Sequence, residues 1–359
     1  MKKLERYIEV LLQKTNFGSV TKNAKLLSDL FTKERDNINS NYMKDDAYRL
    51  AYFALFTLTN AAKTLHCLKN ISNKLPADKI SILDLGCGTG AVSFASSIVF
   101  KDRKLEITAV DKGVNVLKDM KDMFGKIAPS NHSLKTIEAD ILNIPLKGLK
   151  KYNVAIMANL LNELPLDRSV KLCEKILKAH IAKGGFLILI DPALKKTSRK
   201  MMSLRDHLVE ENNLSIIAPC LHNEPCPMLS SNDRDWCHFY IEWVRPHLIE
   251  RIDKAIGTDH SYLKLSYFIF KKIDGTTSVS FSKSKNLSRI VSSPLKSKGK
   301  TELVLCTSKG ELKKARLLSR NETTSNKDFL VTKRGDLVET PQLELVDKTD
   351  PFRVVLKYQ

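Results

Sequence analysis

No segment constrains this chain of 359 residues more than Ile82-Leu83-Asp84-Leu85-Gly86-Cys87-Gly88-Thr89-Gly90. An apolar run, an acid and three alternating glycines mark a strand turning into a helix. There glycine lets the backbone close on a ligand, and the helix start offers free N–H groups. Such a loop serves a nucleotide-like cofactor. Further apolar runs at 105–110, 154–157 and 186–190 alternate with helical stretches, which predicts an α/β fold with a mostly parallel sheet covered on both faces. The aromatic and branched run 262–270 predicts a strand that closes this sheet. Ahead of the loop, residues 1–75 read as helical: Tyr7, Val10, Leu11, Leu26, Leu27, Leu30 and Phe31 recur near a 3.6-residue period, and Pro76 closes the segment.

The glycines do not choose between a nicotinamide dinucleotide and S-adenosylmethionine, because with Ala91 they also satisfy the spacing G-x-G-x-x-A. The acids do choose. Asp84 ends the first strand, Asp111 ends the second and Asp140 follows the third, so three carboxylates line one crevice. Asp111, twenty-one residues after Gly90, suits the ribose hydroxyls of either cofactor. Asp84 would repel a pyrophosphate, whereas it favours a sulfonium and an amino group. S-adenosylmethionine is therefore the expected cofactor, with Asp84, Gly86, Gly88, Gly90, Asp111 and Asp140 around it. Cys87 inside the loop reads as a small residue, not a nucleophile.

Asp84-Leu85-Gly86-Cys87-Gly88-Thr89-Gly90 with these downstream acids resembles the cofactor loop of class I methyltransferases, and Lys183-Gly184-Gly185 matches the turn those folds place ahead of the fifth strand. The resemblance implies that Asp84 and the glycines hold the methionine part, Asp111 the ribose and Asp140 the adenine side. The fourth strand ends in Ala158-Asn159-Leu160-Leu161-Asn162-Glu163-Leu164-Pro165. This lacks the Asn-Pro-Pro-Tyr of amino-methylating members, and no cysteine pair stands where the cytosine carbon-5 enzymes carry one. Asn159, Asn162 and Glu163 are the candidate catalytic residues, with helix capping the competing role for the asparagines.

Seven cysteines in a chain that shows no secretory signal are expected to stay reduced. Cys220, Cys226 and Cys237 crowd into eighteen positions, within Pro219-Cys220-Leu221-His222-Asn223-Glu224-Pro225-Cys226-Pro227 and Trp236-Cys237-His238-Phe239. Three thiols this close call for a metal: zinc completed by a histidine, His222 or His238, or an iron–sulfur cluster that needs a fourth thiolate. Trp236 and Phe239 would shield it from water. Together with the cofactor loop, Asn162-Glu163-Leu164-Pro165 and Leu305-Cys306-Thr307-Ser308-Lys309-Gly310, these motifs resemble the mitochondrial ribosomal small-subunit methyltransferase-like family, which has bacterial relatives. The likeness runs from about Ala47 to Gly335. It implies a four-iron, four-sulfur cluster on Cys220, Cys226, Cys237 and Cys306, and a role in assembling the small ribosomal subunit with its rRNA and proteins as partners. Two positions depart from the family: Leu221 stands where it carries proline, and Arg334 in Lys333-Arg334-Gly335-Asp336 where it carries tryptophan.

A net charge of +19, from 59 Lys and Arg against 40 Asp and Glu, favours a polyanionic partner. The excess is concentrated: residues 271–334 hold sixteen Lys or Arg and five Asp or Glu. This stretch predicts a hairpin around Ser308-Lys309-Gly310, and with 352–356 a small β-rich domain that contacts RNA through Lys283, Lys285, Lys296 and Lys298. The expected organisation is a helical region 1–75, a methyltransferase-like domain 76–275 with its cysteine loop at 219–239, and the basic domain 276–359. The apolar run 186–190 is far short of the roughly 20 residues a membrane span needs. Charges interrupt any apolar signal core near Met1, so a cytoplasmic, ribosome-associated protein is expected. Two functions stand: an rRNA methyltransferase, or a non-catalytic RNA-binding assembly factor that keeps cofactor and metal as structural ligands.

Overall fold

Helix α1 (Lys2–Leu12) buries Leu4, Ile8 and Leu12, and α2 (Phe17–Thr32) buries Val20, Ala24 and Leu27. The buried stripe is not the one expected from Val10, Leu11 and Leu26, which are exposed. Positions 4, 8 and 12 share one helix face and 7, 10 and 11 the face beside it, so the period marks the helix without fixing which side is covered. Asp45 caps α3 (Asp46–Tyr52), its Oδ1 accepting from the N–H groups of Ala47 and Tyr48. A π-helical turn, Phe53–Thr57, then leads into α4 (Leu58–Lys69). The computed structural model describes residues 1–32, 43–143, 149–273 and 287–339, and the backbone of 353–356.

The next elements are β1 (Lys79–Leu85), α5 (Ala91–Val99), β2 (Lys104–Asp111), α6 (Val114–Ile127), β3 (His132–Glu138) and β4 (Tyr152–Ala158). The strands lie in the order β3-β2-β1-β4, all parallel. β1 is buried along all but its first residue, as a strand covered on both faces must be. The chain leaves β1 towards β2 and β3 and returns on the other side as β4. That reversal opens a crevice at the carboxyl ends of the strands, beside the glycine loop.

Then follow α7 (Leu166–Ala179), β5 (Ile181–Asp191), α8 (Lys195–Glu211), β6 (Leu214–Ala218), α9 (Pro227–Ser231), β7 (Phe239–Glu242), α10 (His247–Ile256) and β8 (Tyr262–Lys272). β8 runs antiparallel to both β5 and β6. The run 262–270 is thus a strand, as expected, but an interior one, with β6 beyond it. β6 has only five residues and is entered through Asn213 in a left-handed conformation, φ 48°, so its periodicity is too short to read from sequence.

The last elements are β9 (Leu287–Ile290), β10 (Leu295–Ser297), β11 (Lys300–Thr307), β12 (Leu312–Leu318), β13 (Leu337–Glu339) and β14 (Arg353–Leu356). They form an antiparallel sheet in the order β10-β11-β9-β13-β14, with β12 on β11. The expected hairpin is β11–β12. Ile290, Leu303, Leu305, Ala315, Leu317 and Phe329 make its core. Since Leu303 and Leu305 face that core, strand alternation turns Cys306 to the opposite face. The fold class is the one expected: α/β, with N-terminal helices, a parallel sheet and a small antiparallel sheet. By contacts the chain divides into two compact units, Met1–Leu160 with Ala179–Ile181 and Trp243–Leu263, and Leu161–Lys178 with Ala182–Glu242 and Lys264–Gln359.

Candidate functional site

The glycine loop lies in the first unit and is held from β2. Gly86 and Cys87 donate their N–H groups to Val110 O at 2.9 and 3.1 Å, and Gly88 donates to Asp111 Oδ2 at 2.9 Å. The other Asp111 oxygen accepts from Gly113 N at 2.9 Å. Each carboxylate oxygen has a second lone pair, so both can also accept from ligand hydroxyls. Gly90 caps α5 with φ 85°, and a Cβ there would lie 2.6 Å from Met120 Cγ, so glycine is required. At Gly88 a Cβ would meet nothing within 4 Å, which leaves that side of the loop approachable.

Asp84 at the end of β1 is 1% exposed. Its Oδ2 accepts from Ser93 Oγ at 2.8 Å, while Oδ1 is buried without a hydrogen-bond partner in the protein. Burial, helped by the nearby Asp111 charge and opposed by Ser93, raises its pKa to about 7. A carboxyl raised this far is not held as a fixed anion near neutrality. Burial also raises the Cys87 thiol well above its ordinary range, as suits a packing residue. Asp140 is exposed, its oxygens accepting from Leu142 N and Asn143 Nδ2. Its neighbours keep the turn beside the loop: Ala139 N donates to Asp111 O, and Ile141 Cδ1 would lie 3.3 Å from a Gly86 Cβ.

One contact escaped the sequence reading. Thr89 of the loop shares a buried 2.6 Å hydroxyl–hydroxyl hydrogen bond with Thr57, the last residue of the π-helical turn. Only the turn of threonines at 57, 59 and 64 hinted at it, because a π turn leaves no periodic trace. Among the candidate catalytic residues, Asn159 follows β4 with φ 55°, a left-handed conformation that asparagine tolerates. Asn162 and Glu163 belong to the second unit, in the 3-10 turn Leu161–Glu163. Lys200 Nζ staples that turn through Leu161 O and Leu164 O at 2.5 and 2.6 Å.

The four predicted cysteine ligands all lie in the second unit, where α8 serves as their platform. Arg205 donates to Glu224 O at 2.5 Å and His222 O at 2.9 Å, and Asp206 accepts from Cys226 N at 3.0 and 3.1 Å. One helical turn earlier Met202 Sδ receives Cys237 N at 3.3 Å, and Arg199 binds the carbonyls of Leu229, Asn232 and Asp235. Arg289 on β9 donates to Pro219 O and Gly335 O, both at 2.6 Å. Positions 199, 202 and 205 share a helix face, a spacing visible in the sequence but meaningless until the loop is placed on it.

The thiols influence one another. Burial comes first in raising Cys226 to about 11, followed by the Cys220 charge; Cys237 is raised by burial and then by Cys220, Cys226 and Cys306. Burial, then Cys220 and Cys226, likewise raises Cys306, whereas for Cys220 the charges of Arg205 and Arg289 oppose the effect of burial. Yet among the described residues no three His, Cys, Asp or Glu side chains converge closely enough to hold one metal ion. His222 Nδ1 donates to Glu224 O at 3.1 Å, so Nε2 accepts from Cys306 Sγ at 3.5 Å. His238 donates to Trp236 O and stacks on the Trp236 ring at 5.3 Å. Burial lowers both histidines to about 4, so both are neutral at physiological pH.

Of the predicted RNA contacts, Lys296 on β10 and Lys298 in the turn after it are exposed. Lys283 and Lys285 lie outside the described residues. Among the described residues no helix is long and apolar enough to cross a membrane.

A parallel sheet reversing at β1, with a glycine loop there and acids ending β1 and β2, defines a protein of the methyltransferase-like α/β class. Within that class the chain belongs to the family described as mitochondrial small ribosomal subunit Rsm22, whose pattern matches residues 47–337. It is 24% identical over 161 residues to the human ribosome assembly protein METTL17, mitochondrial, covering 42% of this chain and 34% of that protein. It is 30% identical over 130 residues to the carboxy-S-adenosyl-L-methionine synthase of Dichelobacter nodosus, covering 36% of this chain and 52% of the enzyme. The chain thus spans about a third and about half of these two relatives. A magnesium protoporphyrin IX methyltransferase from Synechocystis with bound SAH aligns with 70% of this chain and 99% of its own, at TM-score 0.40 and 10% identity.

Proposed function

We propose that this chain binds S-adenosylmethionine and acts on the small ribosomal subunit during its assembly, methylating rRNA, with the cytoplasm as its compartment. The observation that carries the cofactor is Asp84 Oδ1, a buried acceptor without a protein donor, at the end of the strand that leads into the glycine loop. An ammonium group answers such an acceptor. Asp84 would then hold the methionine end, Asp111 the ribose hydroxyls and Asp140 the adenine side. The cofactor supplies an electrophilic methyl carbon, and the chain's part is to bind, orient and exclude water. The subunit assignment rests on the family and on a human relative named as a ribosome assembly protein.

The second unit would carry an iron–sulfur group on Cys220, Cys226, Cys237 and Cys306. Zinc needs its sulfurs about 2.3 Å from one centre, and no such convergence exists among the described residues. What supports the cluster is the donor set, four cysteines of which Cys237 and Cys306 are raised by burial and then by the charges of neighbouring cysteines.

The deciding experiment is transfer of labelled methyl from S-adenosylmethionine to small-subunit RNA in immature particles, with Asp84→Ala as control. Label on RNA that needs Asp84 supports the enzyme. Absence of label, with cofactor and particle both bound, replaces it by the non-catalytic assembly factor, a reading favoured by the missing acceptor motif after β4.

A further inference from the structure

The glycine loop rests on α6. Cys87 of the loop packs with Leu117 and Met120 in one buried cluster, and Met120 fills the space that Gly90 leaves by lacking a Cβ. A small shift of α6 is therefore passed to the loop, because close-packed side chains transmit displacement rather than absorb it. At the residue before Met120, α6 is tied to α3: Asp119 Oδ2 accepts from Arg49 Nε at 3.0 Å, a contact between residues seventy positions apart.

Arg49 is 7% exposed, and all three of its guanidinium nitrogens donate. Nη1 binds Met43 O at 3.1 Å and Lys44 O at 2.8 Å, and Nη2 binds Asp46 Oδ1 at 2.5 Å. A planar fork held this way at the start of α3 fixes the direction as well as the length of its reach to Asp119. α3 continues without a break into the π-helical turn whose Thr57 bonds Thr89 of the loop. The same run of helix thus meets the loop twice, directly at Thr89 and indirectly through Asp119 and α6. The Asp119 side chain is 40% exposed, so solvent screens the pair and its share of overall stability is small. Its place, beside the residue that seats Gly90, gives it a larger effect on geometry.

We infer that Arg49 is a positioning residue for the cofactor: through Asp119 it sets where α6 seats the glycine loop, and so how tightly S-adenosylmethionine is held. The inference rests on the S-adenosylmethionine reading above. Its action is indirect, carried by Asp119, Met120 and the loop backbone. The loop amides report it without any ligand. Gly86 and Cys87 donate to Val110 O, Gly88 to Asp111 Oδ2 and Gly90 to Cys87 O, and these N–H groups exchange with solvent only when their bonds open.

The test is amide hydrogen exchange on the ligand-free full chain, with S-adenosylmethionine affinity measured by calorimetry on the same samples. Asp119→Ala removes the far end of the contact and leaves Arg49 its bonds at the start of α3, while alanine favours helix and keeps α6 formed. Exchange over residues 86–90 should speed up by about threefold or more, and affinity should fall by about threefold or more. Exchange in the β11–β12 hairpin, in the other compact unit, should not change. Asp119→Glu, which keeps the carboxylate, should restore most of both. Arg49→Met should act as Asp119→Ala does; where it fails to fold, the two Asp119 variants decide. Unchanged exchange over 86–90 in Asp119→Ala overturns the inference, even with a lowered melting temperature, and so does faster exchange with full affinity. A parent chain that does not bind S-adenosylmethionine removes the cofactor reading, and exchange over 86–90 then still decides whether Arg49 seats the loop.

Discussion

Asp84 holds its carboxyl where water does not reach, so its position and its protonation carry different information. Its place at the end of β1 follows from seven residues of sequence; its pKa of about 7 depends on Ser93, Asp111 and the burial around it, which no spacing reveals. An acid raised from 3.8 to about 7 keeps in the fold a proton that the unfolded chain gives up. The ligand-free protein should therefore lose stability as pH rises from about 4 to about 7. An ammonium ligand reverses the preference, because it favours the carboxylate. Affinity for S-adenosylmethionine should rise about fivefold between pH 6 and pH 7, as the ionised fraction grows. Calorimetry across that range checks this, and Asp84→Asn should bind weakly with a flat profile. A parent profile that is already flat would mean that the cofactor does not face this carboxyl.

At the scale of elements, the two sites depend on short irregular pieces: a π turn, a hairpin turn and a five-residue strand. Gly310 in the β11–β12 turn has φ 77°, and a Cβ there would lie 2.7 Å from Glu224 Cβ and 3.1 Å from His222 Nδ1. Gly310→Ala must adopt a conformation costing about 1–2 kcal/mol and also displace the cysteine loop. It should lower the melting temperature and the bound iron together; lost stability with full iron would show that the turn does not hold Cys306 in place. The π turn answers to a separate variant, Thr57→Val, which leaves the Thr89 hydroxyl buried and unpaired at a cost of about 1–3 kcal/mol. S-adenosylmethionine affinity should fall while iron content stays constant, and an unaltered affinity would uncouple the turn from the loop. The long elements were legible because periodicity accumulates over their length, as in β1 and the β11–β12 hairpin. β6, the stripe of Leu4, Ile8 and Leu12, and the α8 face of Arg199, Met202 and Arg205 were not. Each of these is decided by what the chain meets in space. Cys306 shows the border between the two: spacing could not nominate a residue 69 positions beyond Cys237, yet strand alternation opposite Leu303 and Leu305 brings it to His222.

For the whole molecule, the useful quantity is where the charge of +19 lies. Residues 271–334 contribute sixteen cationic side chains, but several of those described are already spoken for. Arg289 is bound to two carbonyls, while Arg316 and Lys300 pair with Glu302 and Lys313 pairs with Glu311. Lys296 and Lys298, exposed at and just after β10, are better placed for phosphate. Each lysine on a phosphate releases about 0.7–0.9 of a counterion, so binding to small-subunit RNA should weaken linearly in log salt. Changing Lys283, Lys285, Lys296 and Lys298 together to glutamine should reduce that slope by about 3 if all four meet phosphate. S-adenosylmethionine binding should not change, since the cofactor residues lie in the other compact unit. Restoring Lys296 and Lys298 alone then divides the effect between the described strand and the residues before it. A slope that the fourfold variant leaves intact would transfer the RNA contact to the other basic side chains of the molecule.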